Sequence, residues 1–243
     1  MLTRVSTLMA GLLLGALALP AAAAEEAKKE ESMLPGTFTG NVALTNDYVF
    51  RGYTQTLEKA AVQGGLDWDS GVGLYLGTWG SNMKFGAPGE GSLEWDVYGG
   101  YKGAIDKFTY DVGVLGYLYP GTAKALKYNW WEGHVVVGYD FGVAQTSAGV
   151  YYTPDYFGGN GNGVYYMGKV LVPLASLVEG LTIDGTIGRT DVKGTALDYT
   201  DYSVGITYAF KWFTTDVRWY DTDVKGCKNV CDSRVVVKIS RAF

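Results

Sequence analysis

The chain has 243 residues, one histidine, two cysteines and a formal net charge of −5. An acidic balance disfavours nucleic acid as a partner, because that affinity rests on Lys and Arg meeting phosphates. One His and two Cys without C-x-x-C spacing give no recognisable metal-ligand set, so no cofactor is expected. Gly (35) and Tyr (19) are abundant, Pro (6) is scarce and mean hydropathy is near zero, a composition that fits either a soluble β-protein or an outer-membrane barrel.

Arg4 precedes an apolar run from Leu8 to Leu19, and Pro20 to Ala24 supplies small residues in an A-x-A arrangement, the layout of a secretory signal cleaved after Ala24. A membrane anchor is the other reading, but the run falls short of the roughly twenty residues a spanning helix needs, and no later run comes close. Removing 24 of 243 residues leaves 219, and losing Arg4 moves the charge from −5 to −6. Without a helical route into a bilayer, such a chain enters a membrane only as a closed barrel whose backbone groups all pair between strands. Residues 25–36 begin with Glu25-Glu26-Ala27-Lys28-Lys29, charged and without strand period, and read as a solvated periplasmic tail.

From Thr37 to Tyr53 the sequence alternates for longer than an ordinary strand of about five or six residues. Phe38, Val42, Leu44, Tyr48 and Phe50 share one face, and Asn41, Thr45, Asp47 and Arg51 the other. Since a transmembrane strand needs about nine to eleven residues, this stretch is expected to cross a membrane and project beyond it. Ala60 to Trp68 sets Val62, Leu66 and Trp68 against Gln63 and Asp67, whereas Val72 to Gly80 has apolar or Gly residues on both faces and no assignable orientation. Leu93 to Lys102 sets Leu93, Trp95, Val97 and Tyr101 against Glu94, Asp96 and Tyr98; Phe108 to Tyr119 sets Phe108, Tyr110, Val112 and Val114 against Thr109 and Asp111. Trp131 to Tyr139 opposes Trp131, Val135, Val137 and Tyr139 to Glu132 and His134. Val143 to Thr153, Val164 to Leu174, Leu181 to Arg189, Tyr199 to Phe210, Phe213 to Tyr220 and Arg234 to Phe243 bring the total to twelve strands.

An even count returns the chain to the side on which it started, as bacterial single-chain barrels require. The connections near Leu57, Ala87, Ala123, Gly159, Thr195 and Cys227 are mostly longer than those near Ser70, Ala104, Phe141, Leu177 and Lys211, the asymmetry of outer loops and periplasmic turns. A soluble sandwich would alternate in the same way, but nothing in its physics makes every second loop long. Tyr48, Trp68, Trp131, Tyr139, Tyr199, Trp212 and Trp219 lie at strand ends, where interfacial aromatics are expected, although aromatics are enriched in any strand. The fold expected over residues 37–243 is an all-β, antiparallel, up-and-down transmembrane barrel.

Three segments carry a resemblance to a known family: Thr45-Asn46-Asp47-Tyr48-Val49-Phe50-Arg51-Gly52, Gln63-Gly64-Gly65-Leu66-Asp67 and Gly77-Thr78-Trp79-Gly80-Ser81-Asn82, with Glu94, Asp96 and Gly100 in the same pattern. The chain resembles the TorF-type (Gcw-type) porins of Gram-negative bacteria. The resemblance is specific in the first third of the mature chain; beyond it only the strand rhythm and the terminal Phe243 compare. It implies an outer-membrane barrel and carries over no substrate and no active residue. Phe243 is the expected contact with the barrel-assembly machinery.

The polar face gathers Asp47, Asp67, Glu94, Asp96, Asp111, Glu132, Asp184, Asp201 and Asp216 against Arg51, Lys169, Arg218, Arg234 and Lys238. Unpaired burial would cost each charge several kcal/mol, so these residues are expected to line a wet, net acidic lumen, narrow because twelve strands fall between filled eight-stranded barrels and open sixteen-stranded pores. The expected function is a porin-like channel for small hydrophilic solutes or cations. A non-conducting barrel closed by lumen ion pairs such as Asp47 with Arg51 is one alternative. A barrel hydrolase using Glu132 and His134 is another, but side chains two apart on one strand start about 7 Å apart, and no serine motif accompanies them. Cys227 and Cys231, in the last outer loop, are expected to form a disulfide in preference to two free thiols.

Overall fold

A computed structural model describes residues 35–243. The expected signal sequence and all but the last two residues of the charged tail lie outside the described residues. Among the described residues no helix is long and apolar enough to cross a membrane.

Twelve strands form a closed antiparallel barrel: β1 (Thr37–Thr45), β4 (Ala61–Asp69), β5 (Leu74–Asn82), β6 (Leu93–Ile105), β7 (Phe108–Leu118), β8 (Trp130–Asp140), β9 (Gln145–Thr153), β10 (Gly163–Pro173), β11 (Leu181–Val192), β12 (Tyr199–Ala209), β13 (Thr214–Thr222) and β14 (Arg234–Ala242). Each pairs with its neighbour in the chain, and β1 closes on β14 in the register Val42 to Arg241 and Leu44 to Ile239. Beyond the ladder, the amide of Gly40 donates to the carbonyl of Phe243 at 2.8 Å and the Phe243 amide returns a bond at 2.9 Å, tying the last residue into the seam. Two further strands, β2 (Val49–Phe50) and β3 (Tyr53–Thr54), pair only with each other.

The alternation read from sequence decides the two faces. Val42, Leu44, Val62, Leu66, Val112, Val114, Val135, Val137, Val204, Ile206, Val237 and Ile239 all point outward and are exposed, while Glu94, Asp96, Asp111, Glu132, His134, Asp184 and Asp216 point inward and are buried. A continuous exposed belt of this kind is stable against lipid and not against water. Exposed aromatics mark its two edges: Phe108, Tyr139, Phe141, Phe210, Trp212 and Phe213 at the short-turn end, Trp95, Trp131 and Trp219 at the long-loop end. Tyr48 and Tyr199 depart from that belt; both are buried inside. Strand β5 takes an orientation that the sequence left open, with Leu74 and Leu76 outward and Tyr75 and Ser81 inward.

The first strand is the main correction. It ends at Thr45 and does not run on to Tyr53. Asn46 ends the ladder: its amide still donates to the Val237 carbonyl at 3.2 Å, but its side-chain Oδ1 takes the Val237 amide at 2.7 Å, while the Thr45 hydroxyl turns to the carbonyl of Asp47 at 2.7 Å. The chain then bends into the barrel, so that residues 46–60 form an inward hairpin of β2 and β3. Tyr48 and Phe50, expected against lipid, lie inside with it.

Candidate functional site: the barrel lumen

The lumen holds two levels of polar structure. At the short-turn level, Arg218 on β13 grips Asp184 on β11 with both Nη atoms, at 2.6 and 2.8 Å, and reaches Asp216 at 3.1 Å. Lys169 on β10 adds a contact to Asp184 at 3.5 Å, and the Thr207 hydroxyl donates to Asp216 at 2.8 Å. Across the barrel, Asp111 on β7 accepts from the Tyr75 hydroxyl at 2.7 Å and lies 3.2 Å from His134 Nε2. Asp67 on β4 accepts from the Tyr98 hydroxyl at 2.6 Å. Paired charges such as these keep an inward arginine tolerable where an isolated one would not be.

The long-loop level is filled by the hairpin. Its tip, Arg51-Gly52, has φ of 47° and 82°, the positive values that a two-residue hairpin of the primed kind requires, with Val49 opposite Thr54 and Phe50 opposite Tyr53. Contacts run round almost the whole barrel. Tyr48 meets Trp79 on β5 edge to face at 5.4 Å and donates to Glu94 on β6 at 2.8 Å; Phe50 meets Tyr117 on β7 at 5.6 Å; Tyr53 meets Tyr199 on β12 at 4.9 Å. Arg51 forms a two-pronged bond to Glu132 on β8, at 2.8 and 2.7 Å, with its guanidinium 4.0 Å from the ring of Tyr165 on β10 and 5.4 Å from that of Tyr151 on β9. Asp47, at the hairpin's root, accepts from Thr54 at 2.5 Å, Thr56 at 2.8 Å and Arg234 on β14 at 3.0 Å.

These contacts revise the expected pairings. Asp47 and Arg51 sit on the hairpin and not on the wall of β1, and they do not pair with each other: Asp47 takes Arg234 and Arg51 takes Glu132. Glu132 and His134 share a face, as expected, but engage separate partners, Arg51 and Asp111. The remaining sequence-predicted positions, Asp67, Glu94, Asp96, Asp111, Asp184, Asp216 and Arg218, all lie on the inner side of barrel strands. Asp96 is fully buried, and neither of its carboxylate oxygens has a hydrogen-bond partner among the described residues.

Sequence reasoning missed the aromatic cap over the mouth. Phe85, Tyr128 and Phe157 come from three different long loops and pack together, Tyr128 on Phe157 at 4.4 Å and Phe85 on Phe157 at 5.4 Å. Gly158 donates to the carbonyl of Lys127 at 3.0 Å, tying two of these loops. The only signal was the aromatic content of the loops, which turn chemistry does not require. Cys227 and Cys231 are bridged, Cα atoms 5.6 Å apart, beneath the carbonyl of Val230 that receives the Thr54 amide at 2.9 Å. In the outer loops the Thr200 amide, donating to Asp223 at 2.8 Å, holds that carboxyl below its usual range, with Arg189 a weaker contributor.

A closed twelve-stranded barrel, apolar outside and charged inside, is the architecture of a bacterial outer-membrane protein. The chain belongs to the Gcw_chp family, described as bacterial protein of unknown function, whose model matches residues 29–243. Among solved structures the barrel is similar to the KdgM porin (TM-score 0.57, 10% identity, 85% of this chain and 99% of that one). It is also similar to the NanC porin (TM-score 0.56, 13% identity, 84% and 98%). A further KdgM structure, at TM-score 0.57 and 11% identity, is described as a complex with disordered oligogalacturonate. No curated protein sequence matches the chain.

Proposed function

We infer that the protein is a porin-like channel that passes small hydrophilic solutes or ions by diffusion through a narrow, net acidic lumen. The observation that carries this reading is the inward side of the barrel. Carboxylates at Asp67, Asp69, Glu94, Asp96, Asp111, Glu132, Asp184, Asp201 and Asp216 outnumber the bases Lys102, Lys169, Arg218, Arg234 and Lys238 there. A barrel built only for rigidity gains nothing from dehydrating so many charges, whereas a solute path needs them. The oligogalacturonate of the KdgM complex is an acidic sugar chain; an acidic lumen argues for a different solute class here, neutral or cationic. The hairpin occupies the path at the long-loop level, so conduction requires it to withdraw.

That same hairpin favours a second reading, a barrel that does not conduct, because its contacts extend from β5 round to β14. Planar-bilayer recording of the purified, refolded protein separates the two. Discrete conductance steps support the channel; a bilayer that stays silent with folded protein inserted, in wild type and in variants that free the hairpin, refutes it.

A further inference from the structure

The surroundings of Arg51 are complete as a receptor for a planar cation. Glu132 offers both oxygens to the guanidinium fork, and Oε2 is held in place by the Tyr117 hydroxyl at 2.9 Å. The rings of Tyr165, Tyr151 and Trp130 lie 4.0, 5.4 and 5.9 Å from the guanidinium carbon. A two-pronged carboxylate and a set of aromatic faces are the two devices by which proteins recognise guanidinium and alkylammonium groups. Every one of these wall residues sits on a barrel strand, β7 to β10: Tyr117, Tyr151 and Tyr165 are paired with strands on both sides, and Glu132 and Trp130 with β7. The cation alone arrives from a loop.

We propose that Glu132, with Tyr117, Trp130, Tyr151 and Tyr165, forms a lumen subsite for organic cations of the guanidinium or alkylammonium class, and that Arg51 occupies it as an internal ligand which such a solute displaces. The inference deepens the channel reading and rests on it. Two details separate it from a salt bridge that merely pins a loop. The cage engages only the end of the fork: both Nη atoms are bonded, while Nε is buried without a hydrogen-bond partner, so what is recognised is the part of the side chain that a free solute also carries. In addition, Asp96 lies on the inner face of nearby β6 with both carboxyl oxygens unpartnered among the described residues, so the wall beside the cage keeps hydrogen-bonding capacity that no protein group answers. The N–H groups of an arriving solute find an acceptor there before Arg51 has left. An internal ligand also sets a threshold: the apparent affinity of the free solute falls by the fraction of time the cage is vacant.

The probe is methylguanidinium, with methylurea as its neutral counterpart of similar shape, titrated calorimetrically at constant ionic strength into the refolded barrel in detergent. Wild type should bind methylguanidinium weakly, Arg51→Ala at least about tenfold more tightly because the competitor is gone, and Glu132→Gln not at all, with methylurea inert throughout. Equal affinity in wild type and Arg51→Ala, or equal binding of methylurea, overturns the proposal. If Arg51→Ala does not refold, wild type decides: binding that Glu132→Gln abolishes supports the subsite, and no binding up to about 100 mM methylguanidinium, some hundredfold above a millimolar affinity, refutes it. Conductance recorded without the probe tests the channel reading separately; intact binding in a silent barrel would sink that reading and leave the cage standing as a receptor.

Discussion

The hairpin's root gives the sharpest handle on whether the lumen opens. The Asp47 carboxylate collects the Thr54 hydroxyl, the Thr56 hydroxyl and the Arg234 guanidinium within 3.0 Å, and the side chains of the ion pair are only 5% and 8% exposed. Removing one partner of a buried pair costs about 3–5 kcal/mol when the other charge stays behind unpaired; Arg234 keeps a longer contact to Glu58 at 3.7 Å, which sets the expected cost at the lower end of that range. With the hairpin withdrawn, however, Asp47 and Arg234 both meet water, and the substitution costs that state little. Asp47→Ala therefore acts on the seated state alone. At 1.4 kcal/mol per tenfold change, a cost of about 3 kcal/mol should raise the withdrawn population roughly a hundredfold. Single-channel recording reads this as a higher frequency and longer duration of open events. Asp47→Asn, which keeps an acceptor for the two threonines but loses the charge, should fall between. The barrel ladder is untouched by either change, so migration of the folded form on a gel serves as the control for folding. Open probability in folded Asp47→Ala equal to that of wild type would refute the hairpin as the element that closes the lumen.

Val204 lies at the middle of β12 and faces lipid, so Val204→Arg should cost about 2–4 kcal/mol in urea titrations from lipid vesicles; Leu44→Arg, near the long-loop end of β1, should cost about 0–1 kcal/mol, and equal losses would contradict the assigned depths. A conducting pore should prefer cations, with Glu94→Gln combined with Asp96→Asn moving the reversal potential toward zero in a KCl gradient, and the preference should fade as salt rises because the field is screened over about 10 Å at 0.1 M; a wild-type preference for chloride would remove the acidic lumen from the account. Asp223 is held below its usual range by the Thr200 amide, so it stabilises the outer loops fully above the ordinary aspartate value of about 3.9, and that contribution is lost as pH falls through its depressed value. Fluorescence-monitored acid titration should show the loss starting at higher pH in Asp223→Asn, and identical acid transitions would argue against that bond.

The barrel was legible because its information is local. Leu93 to Lys102 declares both of its faces through side chains two apart, and the structure places Leu93 and Trp95 outward and Glu94 and Asp96 inward along β6. The strand count came from that same alternation, and the succession of short and long connections, likewise a property of the linear chain, assigned the two ends. Strand β5 was unreadable for the converse reason: Gly77, Thr78 and Gly80 leave too little contrast between its faces, and only its pairing with β4 and β6 fixes which way Tyr75 points. The partners of the charges were beyond reach as well. Asp47 and Arg51 are four apart, whereas Arg51 and Glu132 are separated by 81 positions and Asp47 and Arg234 by 187, and no periodicity reports on contacts across a lumen.

The hairpin itself shows how a local rule gives way to a distant contact. Alternating residues that continue a strand and alternating residues that fold back on themselves look alike in sequence, and the usual mark of the second is Asn-Gly or Asp-Gly at the turn. Here the turn is Arg51-Gly52, with Arg51 at φ 47°, a conformation that is uncommon for a side chain of this size. Such strain costs of order 1–3 kcal/mol and persists only where the surroundings over-determine it. At this site they do: two short hydrogen bonds to Glu132 and three wall aromatic faces hold the guanidinium with the tip inside the barrel. The residue least suited to the turn in isolation is thus the one that ties the turn to its seat. Strain at position 51 and occupancy of the cage rise and fall together, so a solute that takes the cage also removes what offsets the strained turn.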